Sequence, residues 1–274
     1  MTDAPPRVSI VMPVFDAGRH LAAALASVRA QTRRDFELVV VDDGSTDART
    51  LALLDEAARR PGVRVHRQAN QGPAAARNRA VADARGAYVL PLDADDTLAP
   101  EFLARTVPVL DAAPEVGIVH TWVGLTGAHH GTWRTGPFTL AALLARCTIH
   151  VSSLYRRALW EDVGGYDPRF VDGAEDWDFW LSAAARGWKA LEVPEVLAHY
   201  RRSPASRERA ARRPGTSGRL MRTLVAKHRP LYEAHLEDAL AAMFEELQGV
   251  CLSLERIYGH PAARLYLRLR GLLA

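Results

Sequence analysis

GAYVLPLDADDTLAP, residues 86–100, joins an apolar run to a crowded acidic turn. Tyr88 to Leu92 read as a strand buried on both faces, because no polar residue interrupts them. Asp93, Asp95, Asp96 and Thr97 follow where that strand must end. Carboxylates this close repel one another and need a cation, a proton or water beside them. Which chemistry they serve depends on which strand of the fold they terminate.

Upstream, RVSIVMPV (7–14) and ELVVVDDGSTD (37–47) carry the same pattern, an apolar β-branched run that closes on polar or turn residues. Between them Leu21, Leu25 and Val28 recur at helical spacing. A second helix is predicted over 47–60, a short strand over 63–67, and a third helix from Pro73. The acidic turn therefore ends the fourth strand of a β-α-β-α-β-α-β series, which predicts an α/β fold with a mostly parallel sheet flanked by helices. Ligands of such sheets bind beyond the carboxyl ends of the strands. Pro13–Asp16, Asp42–Thr46 and Asp93–Thr97 all lie at such ends.

Downstream the pattern loosens. A strand is expected over 116–125, a loop or short hairpin over 129–138, a strand over 147–157 and a turn-rich loop over 164–170. A helix starts near Glu175 and stops at Gly187, and one or two short strands follow over 188–202. The Arg-rich stretch 201–218 reads as a linker. This divides the chain into an α/β domain, 1–215, and a C-terminal helical extension, 216–274. In the extension Leu236, Leu240, Met243, Leu247, Val250, Leu254 and Ile257 form an a/d stripe. The stripe is expected to pack on the body, with a homodimer through the C-terminal helices as the alternative.

The chain has 274 residues, 48% hydrophobic and 24% charged, with a net charge of +3. Only Lys189 and Lys227 are lysines, so the positive charge is nearly all Arg. Cys147 and Cys251 are far apart and make no metal spacing. The start lacks signal-peptide features and no run reaches the ~20 apolar residues of a span. A cytoplasmic protein is expected, with no nucleic-acid partner. The basic, apolar C-terminus ARLYLRLRGLLA (263–274) offers a peripheral membrane contact, with packing on the body as its competitor.

Two enzyme classes fit the acidic turn. Asp-x-Asp-x-Thr-Leu resembles haloacid-dehalogenase-type phosphatases, with Asp93 as nucleophile. That chemistry wants the motif on the first strand and a later acidic pair after a Lys, and neither is present. A dinucleotide oxidoreductase is excluded because no G-x-G-x-x-G turn follows the first strand.

Four stretches in order (8–47, then NQGPAAARNRA at 70–80, then 86–103, then GGYDPRFVDGAEDWDFWLSAAARGWK at 164–189) resemble the family 2 glycosyltransferases, inverting enzymes of the Rossmann-like GT-A fold. The resemblance implies a nucleotide-sugar donor, most readily a UDP-sugar, and a saccharide, lipid-linked or small-molecule acceptor. It implies Mn²⁺ or Mg²⁺ on the diphosphate, since carboxylates tolerate a diphosphate only with a cation between them. By the same resemblance Asp95 is a metal ligand, Asp93 a donor contact and Asp96 a sugar contact. Asp43 meets the uracil edge. Pro13 and Phe15 lie near the base, with Phe15 where relatives often carry Tyr. Arg77, more than Arg79, touches the donor, and Gly164, Gly165 and Tyr166 lie under the sugar or acceptor. Asp176 is the general base and Glu175 orients it or meets the acceptor, while Asp178 is structural. His199 is either a third metal ligand or a core histidine. Ser203 stands where the family often has His. Arg201, Arg202 and Arg207 could close over the diphosphate, and His150, Ser152 and Ser153 fall in the acceptor region. A non-catalytic nucleotide-sugar-binding subunit is the remaining alternative; the full set of carboxylates argues against it.

Overall fold

The computed structural model describes residues 5–203, 215–259 and 261. Arg207 and the C-terminal stretch 263–274 lie outside the described residues. The first half runs β1 (Val8–Val14), α1 (Leu21–Arg29), β2 (Phe36–Asp42), α2 (Ala48–Ala58), β3 (Val63–Arg67), α3 (Pro73–Asp83) and β4 (Tyr88–Pro91). Next come β5 (Thr97–Leu98), α4 (Phe102–Ala112), β6 (Val116–Gly127), β7 (Gly131–Trp133), α5 (Leu140–Ala145), β8 (Leu154–Arg156), α6 (Arg157–Val163), α7 (Glu175–Ala185) and β9 (Lys189–Arg202). The extension holds α8 (Thr216–Lys227), α9 (Arg229–Ala234) and α10 (Leu236–Gly259).

All described strands join one sheet, ordered β3-β2-β1-β4-β8-β6-β9-β5, with β7 paired on β6. From β3 to β4 the pairing is parallel. Beyond β4 it is mixed: β8 runs antiparallel to β4 and β6, and β9 parallel to β6. The α/β expectation thus holds, while the parallel character is confined mainly to the first half, where a helix joins each strand to the next. The 147–157 stretch holds only a three-residue strand; α5 forms between the expected loop and strand, where no element was predicted, and α6 begins at the last residue of that stretch. One 14-residue strand, β9, replaces the short strands expected there.

The period of two along each strand builds two cores. Val8, Ile10, Met12, Leu38, Val40 and Leu90 point to the layer of α1, α2 and α4. Val11, Val39, Val41 and Val89 point to the layer of α3, α5 and α7. Leu224 of α8, Tyr232 of α9 and Ala239 of α10 are buried in that second core. The extension therefore shares its core with the α/β body. The stripe expected to pack on the body is instead mostly exposed: Leu236, Leu240, Leu247, Val250 and Leu254 are exposed, while Met243 packs against the second core. No described helix is long and apolar enough to cross a membrane.

Candidate active site

The loops after β1 and β2 are tied together. Asp16, in a left-handed conformation with φ 45°, accepts bonds from the Thr46 and Asp47 N–H groups at 2.7 and 2.8 Å. Asp47 in turn caps α2, accepting from the Thr50 N–H at 2.7 Å. Pro13 is half-buried in β1 and Phe15 beyond it is 53% exposed, free to present its ring. Asp42 accepts from the Ser45 N–H at 2.9 Å and stays structural. Asp43 is buried and holds the entry to α3: Oδ1 accepts from Gln68 Nε2 and the Gln71 N–H, and Oδ2 from the Gly72 N–H. One acceptor position remains on Oδ2.

Gly72, φ 86°, and Pro73 at the first turn start α3. One helical turn on, Arg77 is 1% exposed. Its Nη1 donates to Glu175 Oε1 at 2.8 Å and its Nη2 to Asp93 Oδ1 at 2.6 Å. The guanidinium also lies 5.6 Å from the Tyr166 ring centre. Arg77, expected at the donor, thus bridges the acidic turn after β4 to the start of α7. Arg79 points away, bonding the Arg67 carbonyl.

The bridge removes part of the repulsion expected among the three carboxylates. Asp93 meets Arg77. Asp96, 1% exposed, accepts from the Arg201 N–H at 2.8 Å, while its Oδ2 has no hydrogen-bond partner. His150 Nε2 stands 3.6 Å from that oxygen. His150 Nδ1 accepts from the Ser152 N–H, which places the ring proton on Nε2, facing Asp96. Burial first, then the charges of Asp93 and Asp95, push the Asp96 carboxyl well above the usual carboxylate range. His150, Ser152 and Ser153 are buried, and His150 supports Asp96 from below. His199 sits across the β5–β9 ladder from Thr97, two residues past Asp95. Its Nδ1 lies where a side chain on Gly124 would stand, 2.5 Å from an added Cβ.

No group of three His, Cys, Asp or Glu side chains among the described residues is gathered as a metal site. A divalent ion that binds with a diphosphate needs only one or two carboxylates from the protein. Half-buried Asp95 beside the orphaned Asp96 oxygen meets that requirement.

Helix α7 opens at Ala174, left-handed at φ 66°, which turns Glu175 inward to Arg77. Asp176 is half-buried and accepts from the Trp177 N–H at 2.8 Å. Burial, with the neighbouring Glu175 charge, pushes its carboxyl up to about 6, against the pull of Arg77. Trp177 Nε1 bonds the Leu143 carbonyl at 2.6 Å, and Phe179 stacks on Tyr166 with centroids 4.3 Å apart. Asp178, structural as expected, is fully buried. It receives Lys227 Nζ at 2.7 Å and His228 Nε2 at 2.8 Å from the extension. Lys227 also reaches Asp167 at 3.0 Å. Lys227→Met should lower stability by about 1.5–3 kcal/mol, read as a drop in the thermal unfolding midpoint; an unchanged midpoint would mean the latch contributes nothing.

Sequence reasoning passed over Asn78. Its Oδ1 accepts from Trp160 Nε1 and the Tyr166 N–H, and its Nδ2 donates to the Tyr166 carbonyl at 2.6 Å. It thereby fixes the Gly164–Tyr166 loop against α3. The available signal was an amide in a helix interior, where Asn is disfavoured unless its side chain has work elsewhere. Gly165 has φ 79°, and a Cβ there would stand 2.7 Å from Asn78 Oδ1. Gly165→Ala should cost about 1–3 kcal/mol from backbone strain alone, with transfer falling further than stability if the loop meets substrate. A midpoint equal to wild type would refute the strain.

The glycosyl transferase family 2 model matches residues 9–163, more than half of the chain. A PGL/p-HBAD biosynthesis glycosyltransferase of Mycobacterium bovis is 38% identical over 180 residues, 64% of this chain and 69% of its own length. Against two longer curated relatives the matched region spans only 23% and 17% of their length. Among solved structures, S. aureus TarS 1–349 with UDP-GlcNAc superposes with a TM-score of 0.68 at 21% identity, over 80% of this chain and 66% of that one. The mannosyltransferase PcManGT of Pyrobaculum calidifontis, solved with GDP-Man and Mn²⁺, gives 0.61 at 20% identity over 98% and 85%. Asp93, the nucleophile of the phosphatase alternative, is instead the partner of Arg77. The chain belongs to glycosyl transferase family 2, and it is a glycosyltransferase built on the GT-A fold.

Proposed function

We propose that this enzyme moves a sugar from a UDP-sugar to an acceptor hydroxyl with inversion, using Asp176 as general base. The observation that carries the reading is the Asp93–Arg77–Glu175 bridge. It sets the acidic turn that would face a diphosphate at a fixed place relative to a carboxylate whose proton affinity is raised into the working range. Asp95, with Asp96 beside it, would hold a divalent ion, which supplies neutralisation of the leaving diphosphate. Phe15 offers a face for the base, and Asp43 Oδ2 an acceptor for an imide N–H. Asp176 then takes the proton of the attacking hydroxyl, with Glu175 held by Arg77 so that the neighbouring negative charge keeps Asp176 basic. The TarS complex with UDP-GlcNAc and the Mn²⁺ in PcManGT support the donor and metal classes.

Thermal unfolding with UDP, with and without Mn²⁺, tests the donor half. A midpoint rise that requires both is expected, because ligand binding to the folded state alone stabilises it. Asp95→Ala should remove the Mn²⁺ dependence. The absence of a shift with UDP, GDP and dTDP would sink the reading, and a donor screen by released nucleotide fixes base and sugar.

A further inference from the structure

The extension grips the body around Asp176. Lys227 Nζ bonds Asp178 of α7 at 2.7 Å and Asp167 of the 164–174 loop at 3.0 Å, and it stands 5.9 Å from the Phe170 ring centre. His228 Nε2 reaches the other carboxylate oxygen of Asp178 at 2.8 Å. Arg219 pairs with Asp172 of the same loop at 2.7 Å, and the Tyr232 hydroxyl donates to the Leu144 carbonyl of α5 at 2.9 Å. These three elements carry or flank Asp176. The Asp178 N–H bonds the Ala174 carbonyl in the first turn of α7, and Trp177 Nε1 donates to the Leu143 carbonyl of α5.

We infer that Lys227 is a positioning residue for sugar transfer: it locks the 164–174 loop to the first turn of α7, so that the extension sets where Asp176 stands. The inference rests on Asp176 being the base. Holding the extension in place does not call for this arrangement, because Leu224 and Tyr232 already bury it in the second core. An anchor needs only one contact on the body, whereas the arm from Lys227 to Asp167 ties two body elements to each other. Asp167 follows Tyr166, whose ring stacks on Phe179 of α7 and faces the Arg77 guanidinium. A shift of the loop against α7 would therefore carry into the Arg77–Glu175 bridge beside Asp176. The residue type fits the task. Lys227 is one of two lysines in a chain with 35 Lys and Arg residues. Its ammonium directs three donors around a point, which suits carboxylates on two elements, while a guanidinium offers a planar fork that suits one.

The test uses the full chain. Nucleotide release is measured with Mn²⁺ and UDP-glucose, UDP-GlcNAc or GDP-mannose, with water as acceptor, at a temperature where circular dichroism shows every variant folded. Lys227→Met should lower kcat roughly 10- to 100-fold, the cost of a small misplacement of a reacting group, and leave the donor KM unchanged. Leu110→Ala, a truncation in the first core away from the latch, controls for lost stability: it should unfold earlier than wild type and keep its kcat. Hydrogen exchange of the backbone amides needs no donor. Lys227→Met should speed exchange in both the 164–174 loop and the first turn of α7. His228→Asn, whose parent side chain reaches α7, should speed it in α7 alone. A kcat for Lys227→Met equal to wild type, a kcat that falls as far in Leu110→Ala, or a loop whose exchange is unmoved by Lys227→Met overturns the inference. Asp176→Asn in the same assay separates two failures. If it loses release while Lys227→Met keeps it, the positioning role alone falls; if it keeps release, base and positioning role fall together.

Discussion

Asp176→Asn is expected to cut transfer by ~10²–10⁴-fold while leaving UDP binding unchanged. Asparagine keeps the shape of the side chain and its acceptor for the Trp177 N–H, but it cannot take a proton. The pH profile supplies a second measurement. The Asp176 carboxyl is pushed up to about 6, by burial first and by Glu175 second. The ionised base accumulates as pH rises through that value, so kcat/KM should climb about tenfold per pH unit below it and level off above. The break near 6 should vanish in the variant. Stability should move in the opposite sense to activity. The folded-state value lies above the ordinary 3.8, so the native state resists ionisation that the unfolded chain accepts. That cost is absent below about pH 4, grows between 3.8 and about 6, and is full above. At pH 8 the neutral Asn variant should therefore unfold at a temperature equal to or higher than wild type. Retained transfer, or an unchanged acid limb, would remove Asp176 from the role of base.

Arg77→Met is expected to be the most damaging single substitution for stability. Arg77 and Glu175 are both almost fully buried, at 1% and 4% exposed. Removing the guanidinium leaves Glu175 as a buried carboxylate without its ion pair, and Asp93 turned toward an apolar side chain. Breaking a buried pair from one side costs about 3–5 kcal/mol. For a chain of this size that corresponds to a fall in the unfolding midpoint on the order of 10 °C. Arg77→Lys should recover only part of it, because one ammonium cannot repeat a two-pronged bridge to carboxylates on different elements. A midpoint loss of a degree or two for Arg77→Met would mean that the bridge is incidental. Low pH should soften the effect, since protonated carboxyls no longer need the partner.

The parallel half of the fold was legible because each strand carries its own evidence. Val8–Val14 and Phe36–Asp42 are continuous apolar runs that end in turn residues, and nothing distant is needed to read them. The mixed half was harder. β5 has two residues and β8 three, too short for a periodicity to register. α5, capped by Thr139, has six residues between the expected loop 129–138 and the expected strand 147–157, too few for a helical period to register. The strand-end carboxylates were identified by position and resemblance, but their partners were not. Arg77 meets Glu175 across 98 residues and Asp96 meets Arg201 across 105. Such pairs leave no local trace in one sequence. Asp178 was read as structural from its helical offset, yet its partners Lys227 and His228 lie beyond a stretch read as a linker. The heptad on α10 was read correctly as a stripe and wrongly as covered, because periodicity shows that a face exists and says nothing of what lies against it.

The Lys227 latch also has a consequence for when the enzyme becomes competent. Asp178 leaves the ribosome 49 residues before Lys227. At ~5–20 residues per second the start of α7 exists for several seconds as a nascent helix with a carboxylate it cannot yet bury. Strands β1 to β4 are complete well before then. A nascent chain should accordingly complete the strands that lead to the acidic turn first, and secure the helix that carries Asp176 only after Lys227 has emerged.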